Sequence, residues 1–141
     1  MKALRLYVDD FRQFKDCEVV IGNKVTAIAG NNGTGKSTIL GLLANSSALG
    51  KYKTYMGKPF RGEFSELFSG SPMYDLPGKR IRLDYVEHGQ KQEISFRISW
   101  QNNKTRFRVI PQKTLADGKT SSAKIVSPVI YLGLSRLYPL G

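Results

Sequence analysis

The glycine-rich string GNNGTGKST, residues 30–38, constrains this chain more than any other feature. It fits the pattern G-x-x-x-x-G-K-[ST], and it lies between an apolar segment and a segment with helical spacing of its apolar residues. Glycines at 30, 33 and 35 permit backbone conformations that place successive amides around an anion without a side chain in the way. A helix beginning near Lys36 adds unpaired N–H groups and the positive end of its dipole. The string therefore predicts a phosphate-binding loop rather than a tight turn alone.

The lysine and the hydroxyl residues of this loop have separate expected roles. Lys36 can reach the β- and γ-phosphates of a nucleotide as a point charge, and the Ser37 hydroxyl can ligate Mg²⁺. Thr38 is placed for the α-phosphate side. No N-K-x-D string, which would recognise guanine, occurs in the sequence. GTP-specific binding is therefore disfavoured, and Mg²⁺ is the metal expected with the bound nucleotide.

Around the loop, the first 50 residues predict three strands and a helix. The segments ALRLYV and CEVVIG read as strands, the second ended by a turn at 22–24, and VTAIAG, apolar on both faces, reads as a strand covered on both sides. A helix is expected over about 36–48, ended by Gly50. Its expected apolar stripe consists of Ile39, Leu40, Leu43 and Ala44.

A second pattern, strict alternation of polar and apolar residues, covers 80–110. RIRLDYV, QEISFRISW and KTRFRVI alternate, with turns at His88-Gly89 and at 101–103, which predicts a three-stranded antiparallel meander. Between helix and meander, residues 51–79 show weak periodicity, although RGEFSELF is compatible with one or two helical turns. The expected apolar face of the meander comprises Ile81, Leu83, Tyr85, Ile94, Phe96, Ile98, Trp100, Phe107 and Val109.

The charge is concentrated in the later part of the chain. The chain has 22 basic and 11 acidic residues. Residues 1–50 contain six basic and four acidic residues, a formal charge of +2, and residues 51–141 contain sixteen basic and seven acidic residues, a formal charge of +9. Such a field favours a polyanion such as nucleic acid without identifying one. Either the outward residues of the meander form a track for DNA, or they form a solvated face with cross-strand ion pairs. These residues are Arg80, Arg82, Arg97, Arg106 and Arg108, with Asp84 and Glu93 interleaved.

The remaining composition excludes several classes. No apolar run approaches the roughly 20 residues of a membrane-spanning helix, and the first residues contain acids where a signal peptide would need an apolar core. A single cysteine, Cys17, excludes an internal disulfide framework and a multi-cysteine zinc site. We therefore expect a cytoplasmic protein without a membrane partner.

The segment FRQFKD, ahead of the loop and separated from it by the predicted strand pair, resembles the amino-terminal head of the SMC/RecF/Rad50 group of ABC-type ATPases. In that group an F-R-x-F segment near the start and an Asn-Gly pair in the loop recur. The resemblance implies that Arg12 approaches the nucleotide phosphates, although an exposed charge in a turn is an alternative for this residue. The implied nucleotide-binding residues are Arg12, Gly30, Asn31, Asn32, Gly33, Thr34, Gly35, Lys36, Ser37 and Thr38, with Ser37 as the magnesium ligand.

The same resemblance implies the fold class and the partners. The expected fold is an α/β P-loop NTPase, the N-terminal lobe of an ABC-type ATPase head, with a mixed central sheet around the helix and a flanking antiparallel β-subdomain. Two such heads would be clamped together by ATP. The closing YLGLSRLYP also resembles a segment of bacterial phage-defence ATPases, including some encoded beside an HNH nuclease, which adds a nuclease subunit to the expected partners.

Other elements of an ABC-type ATPase are not found in the sequence. No apolar run followed by Asp-Glu occurs, IRLDYVE is interrupted by Arg82, and LFSGS at 67–71 is followed by Pro72 where a signature segment should open a helix. We therefore expect the first lobe of a longer ATPase, inactive or very slow alone; the alternative is a compact phosphate-binding protein, which must account for the uncovered apolar run IVSPVIYLGLS. The expected divisions are 1–50 (strands, loop and first helix), 51–79 (loop-rich connection), 80–110 (meander) and 111–141 (polar loop and returning apolar strand).

Three other functions share some of these features. An ABC transporter ATPase subunit shares the loop and the antiparallel subdomain, but the F-R-x-F start and the basic later part argue against it. A small-molecule kinase usually places the loop after its first strand, whereas two strands precede the apolar strand here. A non-catalytic nucleic-acid-binding module with a residual anion site is the third of these alternatives. The leading hypothesis is an ATPase acting in DNA processing, repair or phage defence.

Overall fold

The computed structural model describes residues 1–53, 55, 57, 59–61, 68, 77–101, 103, 106–115 and 118–131. Side chains are not described at 59–61, 79, 101, 106 and 107. Within these ranges the elements are β1 (Lys2–Phe11), β2 (Phe14–Val20), α1 (Lys36–Ser46), β3 (Ser47–Lys53), β4 (Pro59–Arg61), β5 (Gly78–Glu87), β6 (Gln90–Gln101), β7 (Arg106–Thr114), β8 (Thr120–Ser121) and β9 (Ile125–Val126).

The larger of two sheets has six strands in the order β2-β1-β5-β6-β7-β8, and all its neighbours are antiparallel. The predicted meander is confirmed as β5, β6 and β7, and the two-residue turn at His88-Gly89 has positive φ at both positions, as a tight hairpin of right-handed twist requires. The first strand pairs with β5, so the start of the chain extends the meander into one continuous sheet.

One face of this sheet forms the core. Alternation along each strand stacks apolar side chains in rows across three strands, for example Leu6, Leu83 and Ile94. The helix covers this face with Ile39 and Leu42. Trp100, expected in the core, is only half-buried, and the Phe107 side chain lies outside the described residues. The buried apolar cluster comprises Leu6, Val8, Phe11, Ile39, Leu42, Phe68, Ile81, Leu83, Tyr85, Ile94, Phe96, Ile98, Val109 and Ile125.

The helix differs from its expectation at its end and in one member of its stripe. It ends at Ser46 rather than near 48, and the chain continues directly into β3, which runs through Gly50. Leu42 is buried at 3% exposure, whereas Leu40 is 47% exposed. The reason is that apolar residues occupy most of the helix circumference, so the sheet rather than the sequence spacing decides which side is covered.

The expected strand VTAIAG is wrong for the described structure. Residues 25–30 have no strand assignment, and Val25 is 84% exposed. The preceding turn folds back on itself, because the Gly22 N–H donates to Thr26 Oγ1 at 2.7 Å. A strand needs a neighbouring strand to satisfy its backbone groups, and no described strand pairs with this segment.

The second sheet is small, with the order β4-β3-β9, and it contains the parallel pair β3–β9. The expected mixed central sheet is therefore corrected: among the described strands the parallel pairing is confined to this small sheet, and the larger sheet is antiparallel. The returning apolar run forms only Ile125–Val126, followed by residues without strand structure up to 131. Predictions for RGEFSELF, LFSGS and the end of the chain lie outside the described residues apart from Arg61 backbone and Phe68.

Candidate nucleotide-binding site

The glycine-rich string forms a turn that connects the segment 25–29 to the start of α1 at Lys36. Gly33 and Gly35 have φ values of 81° and 85°, a region that residues with a Cβ rarely adopt. At Gly33 a Cβ would meet nothing within 4 Å, so only the backbone conformation requires glycine there. At Gly35 a Cβ would overlap the Gln13 amide and the Phe14 ring, so this glycine is required by packing as well.

The lysine of the loop is fixed by the loop itself. Lys36 Nζ donates to the carbonyl oxygens of Gly30 at 2.8 Å and Asn31 at 2.6 Å. The Thr34 hydroxyl donates to the same Asn31 carbonyl at 2.8 Å. These bonds tie the Lys36 and Thr34 side chains to the first two residues of the loop. The arrangement holds the positive charge of Lys36 against the backbone of the loop.

The first turn of α1 offers further N–H donors. Gly35 occupies the N-cap position without a side-chain capping bond, and the first turn contains no acidic residue. The earliest helical bond runs from the Ile39 N–H to the Gly35 carbonyl at 3.1 Å. The N–H groups before Ile39 therefore remain for an anion, and the helix dipole favours negative charge at this end.

The two hydroxyl residues at the helix start have different surroundings. Ser37 is exposed, so its hydroxyl is available to a magnesium ion held by bound phosphates. Thr38 is buried at 6% exposure on the inner side of the helix. Among the described residues no group of three His, Cys, Asp or Glu side chains lies close enough to hold a metal ion. The donor set thus fits a nucleotide-bound Mg²⁺ with Ser37 as its protein ligand, without a described carboxylate partner.

The turn between β1 and β2 lies directly on the loop, which the sequence reasoning missed. Gln13 Nε2 donates to the Gly33 carbonyl at 3.1 Å, and the Phe14 ring occupies the space beside Gly35. The signal available in the sequence was the segment FRQFKD, but the interpretation singled out only its arginine. The hairpin and the loop are brought together although twenty residues separate Gln13 from Gly33.

Arg12, in the same turn, has a φ of 59° and is half-buried. Its guanidinium lies over the Phe68 ring, 4.7 Å from the centroid, and 5.4 Å from the Phe11 centroid. The two rings meet edge to face with centroids 6.1 Å apart. Arg12 thus lies in a turn, as the alternative of an exposed charge expects, but it is half-buried against two rings, and its approach to the nucleotide phosphates stays a prediction.

The outer face of the large sheet is the face opposite the core. Some of its described arginines form ion pairs with carboxylates and others do not. Arg80 lies 3.4 Å from Asp10, and Arg82 lies 3.8 Å from Asp84 and 3.4 Å from Glu93. Asp84 is therefore engaged in the ion pairs of this face. Arg97 and Arg108 are exposed, and no carboxylate of the described residues lies within salt-bridge distance of either. The Arg106 side chain lies outside the described residues.

Comparison with protein families assigns the chain to a family. A family profile described as an AAA domain matches residues 5–135. The chain belongs to the AAA domain family. A search of curated proteins gives no match. AAA domains are P-loop ATPases, so the expectation of an ATPase is confirmed at the level of the family, and nucleotide with Mg²⁺ is the ligand class that this AAA domain implies.

The family match also concerns the fold class. Membership supports the P-loop NTPase class, although the described part of this AAA domain is a mostly antiparallel sheet with one helix. Within the described residues, none of the helical structure has the length and apolar character needed to traverse a bilayer.

Proposed function

We propose that this chain is the ATP-binding part of an SMC/RecF/Rad50-like ATPase acting in DNA processing, repair or phage defence, with ATP driving the pairing of two heads. The observation that carries the proposal is the Lys36 ammonium group held at the mouth of a glycine loop that opens onto an uncapped helix start. The contact between the FRQF turn and this loop supports the comparison with that group specifically.

In this proposal the residues bind and orient the triphosphate. The amides of the loop and of the first helical turn face the phosphates, and Lys36 neutralises part of their charge. Bound Mg²⁺ supplies further charge neutralisation, with Ser37 as its protein ligand. A group that activates the attacking water is not identified among the described residues. We therefore assign hydrolysis to the assembled protein, in which a second head completes the site.

Binding of MgATP by the intact chain tests the nucleotide site. Replacing Lys36 with alanine should weaken binding roughly 10- to 150-fold, since a hydrogen bond to a charged group contributes about 1.5–3 kcal/mol. Lys24, an exposed lysine in the turn after β2, provides the matched control, and Lys24→Ala should bind like the wild type. Equal affinities for wild type and Lys36→Ala, measured with a fluorescent ATP analogue, would reject the site.

Pairing of heads is tested separately by sedimentation velocity. The full-length ATPase should be monomeric alone and should shift toward a dimer when MgATP is added, and its Lys36→Ala variant should not shift. A sedimentation coefficient of the full-length ATPase unchanged by saturating MgATP would reject ATP-driven pairing while leaving the nucleotide site intact.

We also propose that DNA binds the basic meander through Arg97 and Arg108, because the other described arginines of that face already have carboxylate partners. Each arginine–phosphate interaction that is removed should lower the slope of log affinity against log salt by about 0.9, so the double substitution to alanine should lower it by roughly 2. Arg82→Ala, which removes an ion-paired arginine from the same face, is the control. A slope unchanged by the double substitution would assign these arginines to a solvated surface. A nuclease subunit remains a proposal that rests on the resemblance of YLGLSRLYP alone.

A further inference from the structure

The β1–β2 turn donates a hydrogen bond to a backbone carbonyl of the phosphate loop. The donor to this carbonyl is therefore a residue outside the loop. Other carbonyls of the loop have internal partners: those of Gly30 and Asn31 accept from Lys36, and that of Gly35 accepts from the Ile39 N–H. The Gly33 carbonyl accepts its hydrogen bond from Gln13 Nε2, a side chain outside the loop.

The orientation of the peptide between Gly33 and Thr34 is set by ψ of Gly33 and φ of Thr34. Gly33 has a φ of 81°, and the space around its Cα is open. Turning this peptide unit over would change ψ of Gly33, which glycine permits, and φ of Thr34, which a β-branched residue resists, so the Gln13 bond acts together with Thr34 to hold the unit. If it turned over, a carbonyl oxygen would face a bound phosphate where an N–H donor is needed.

A trans peptide fixes the relation between its two polar groups. The C=O of Gly33 and the N–H of Thr34 belong to one plane and point in opposite directions. Because Gln13 holds the carbonyl on the side of the hairpin, the Thr34 N–H points away from the hairpin. Gln13 and Phe14 also pack against the Cα of Gly35, which carries no Cβ. This packing holds the Gln13 side-chain amide 3.1 Å from the Gly33 carbonyl.

We propose that Gln13 is a positioning residue for nucleotide binding: its side-chain amide fixes the Gly33–Thr34 peptide so that the Thr34 N–H faces the phosphates. Gln13 acts through the loop backbone and does not itself need to touch the nucleotide. This inference rests on the proposed nucleotide site and adds to it a residue of the hairpin.

Two substitutions separate the hydrogen bond from the packing. Gln13→Met keeps the length and bulk beside Gly35 but removes the donor, and it should weaken MgATP binding about 3- to 10-fold, the range expected for one net hydrogen bond. Gln13→Glu keeps the shape but sets an acceptor and a negative charge against the Gly33 carbonyl, and it should weaken binding more than 10-fold. The matched control is Gln90→Met, at an exposed glutamine in the turn region of the β5–β6 hairpin.

A spectroscopic readout distinguishes positioning from a general structural role. The amide ¹⁵N chemical shift of Thr34 responds to hydrogen bonding at the preceding carbonyl, so it should change in nucleotide-free Gln13→Met while the melting temperature stays within about 2 °C of wild type, as is usual for exposed substitutions. Wild-type affinity in Gln13→Met, or an unchanged Thr34 shift, would overturn this inference alone. Absence of any Lys36-dependent binding by the wild-type chain would overturn the nucleotide site and this inference together.

Discussion

Replacing Gly41 by alanine should destabilise the chain, against the ordinary expectation for a glycine inside a helix. Helix propensity favours the substitution by about 1 kcal/mol. In α1, however, a Cβ at position 41 would lie 2.8 Å from Phe68 Cε2 and closer still to its Cζ. Phe68 is 7% exposed and is held between the Phe11 ring and the Arg12 guanidinium, so the ring has little space to withdraw.

Forcing an additional methyl group into a packed core costs about 1–3 kcal/mol. Subtracting the propensity gain leaves a net loss of about 1 kcal/mol for Gly41→Ala, or a melting temperature lower by roughly 3–4 °C in a chain of this size. Urea unfolding followed by circular dichroism measures the difference. Gly50→Ala is the control, since a Cβ there would meet nothing within 4 Å, and the substitution should be neutral or stabilising.

A double substitution tests whether Phe68 is the cause. Phe68→Leu should cost less in the Gly41→Ala background than in the wild type, with an interaction energy of at least about 0.5 kcal/mol, because the smaller side chain makes room for the new methyl group. A Gly41→Ala chain more stable than the wild type, with no such coupling, would refute the inferred contact between the helix and Phe68.

Three further outcomes are expected. Gly35→Ala, at φ 85° and against Gln13, should lose about 1–3 kcal/mol in urea unfolding and should bind MgATP more weakly; wild-type values for both would contradict the packed turn. The Tyr85 side chain first, with its ring centroid 5.7 Å from Lys113 Nζ, and then the Glu87 carboxylate at 3.7 Å raise the pKa of Lys113, so the stability it contributes is complete below about pH 10 and is lost as pH rises through the raised value. The unfolding free energies of wild type and Lys113→Met should therefore converge above that range, and a constant difference up to pH 12 would count against it. His88→Asn should raise the melting temperature slightly, since asparagine tolerates the φ of 50° better, and a decrease would contradict the assigned turn.

The sequence predicts those parts of the fold that depend on near neighbours. Alternation over 80–110 correctly gives three antiparallel strands because each strand pairs with the next along the chain. The start of α1 at Lys36 follows from the loop immediately before it. In both cases the residues that determine the structure lie within a few positions of the element itself.

The errors concern partners far away in the chain. The apolar segment 25–30 has the composition of a buried strand, but composition does not state which strand would lie beside it. Similarly, the exposure of Leu40 and burial of Leu42 are determined by the sheet that packs on the helix. Gln13 was missed for the same reason, because its role exists only once the hairpin turn contacts a loop twenty positions later.

The pairing of β1 with β5 has a consequence for how the chain folds. Lys2 lies opposite Val86, so the pairing of β1 with β5 joins residues far apart in the chain. The long loop that this pairing closes contains α1 and the glycine-rich turn. The hairpins β1–β2 and β5–β6 need only short closures and can form early, whereas joining them requires a costly long-range closure. We therefore expect the docking of the two hairpins, rather than the formation of either one, to limit the rate of folding.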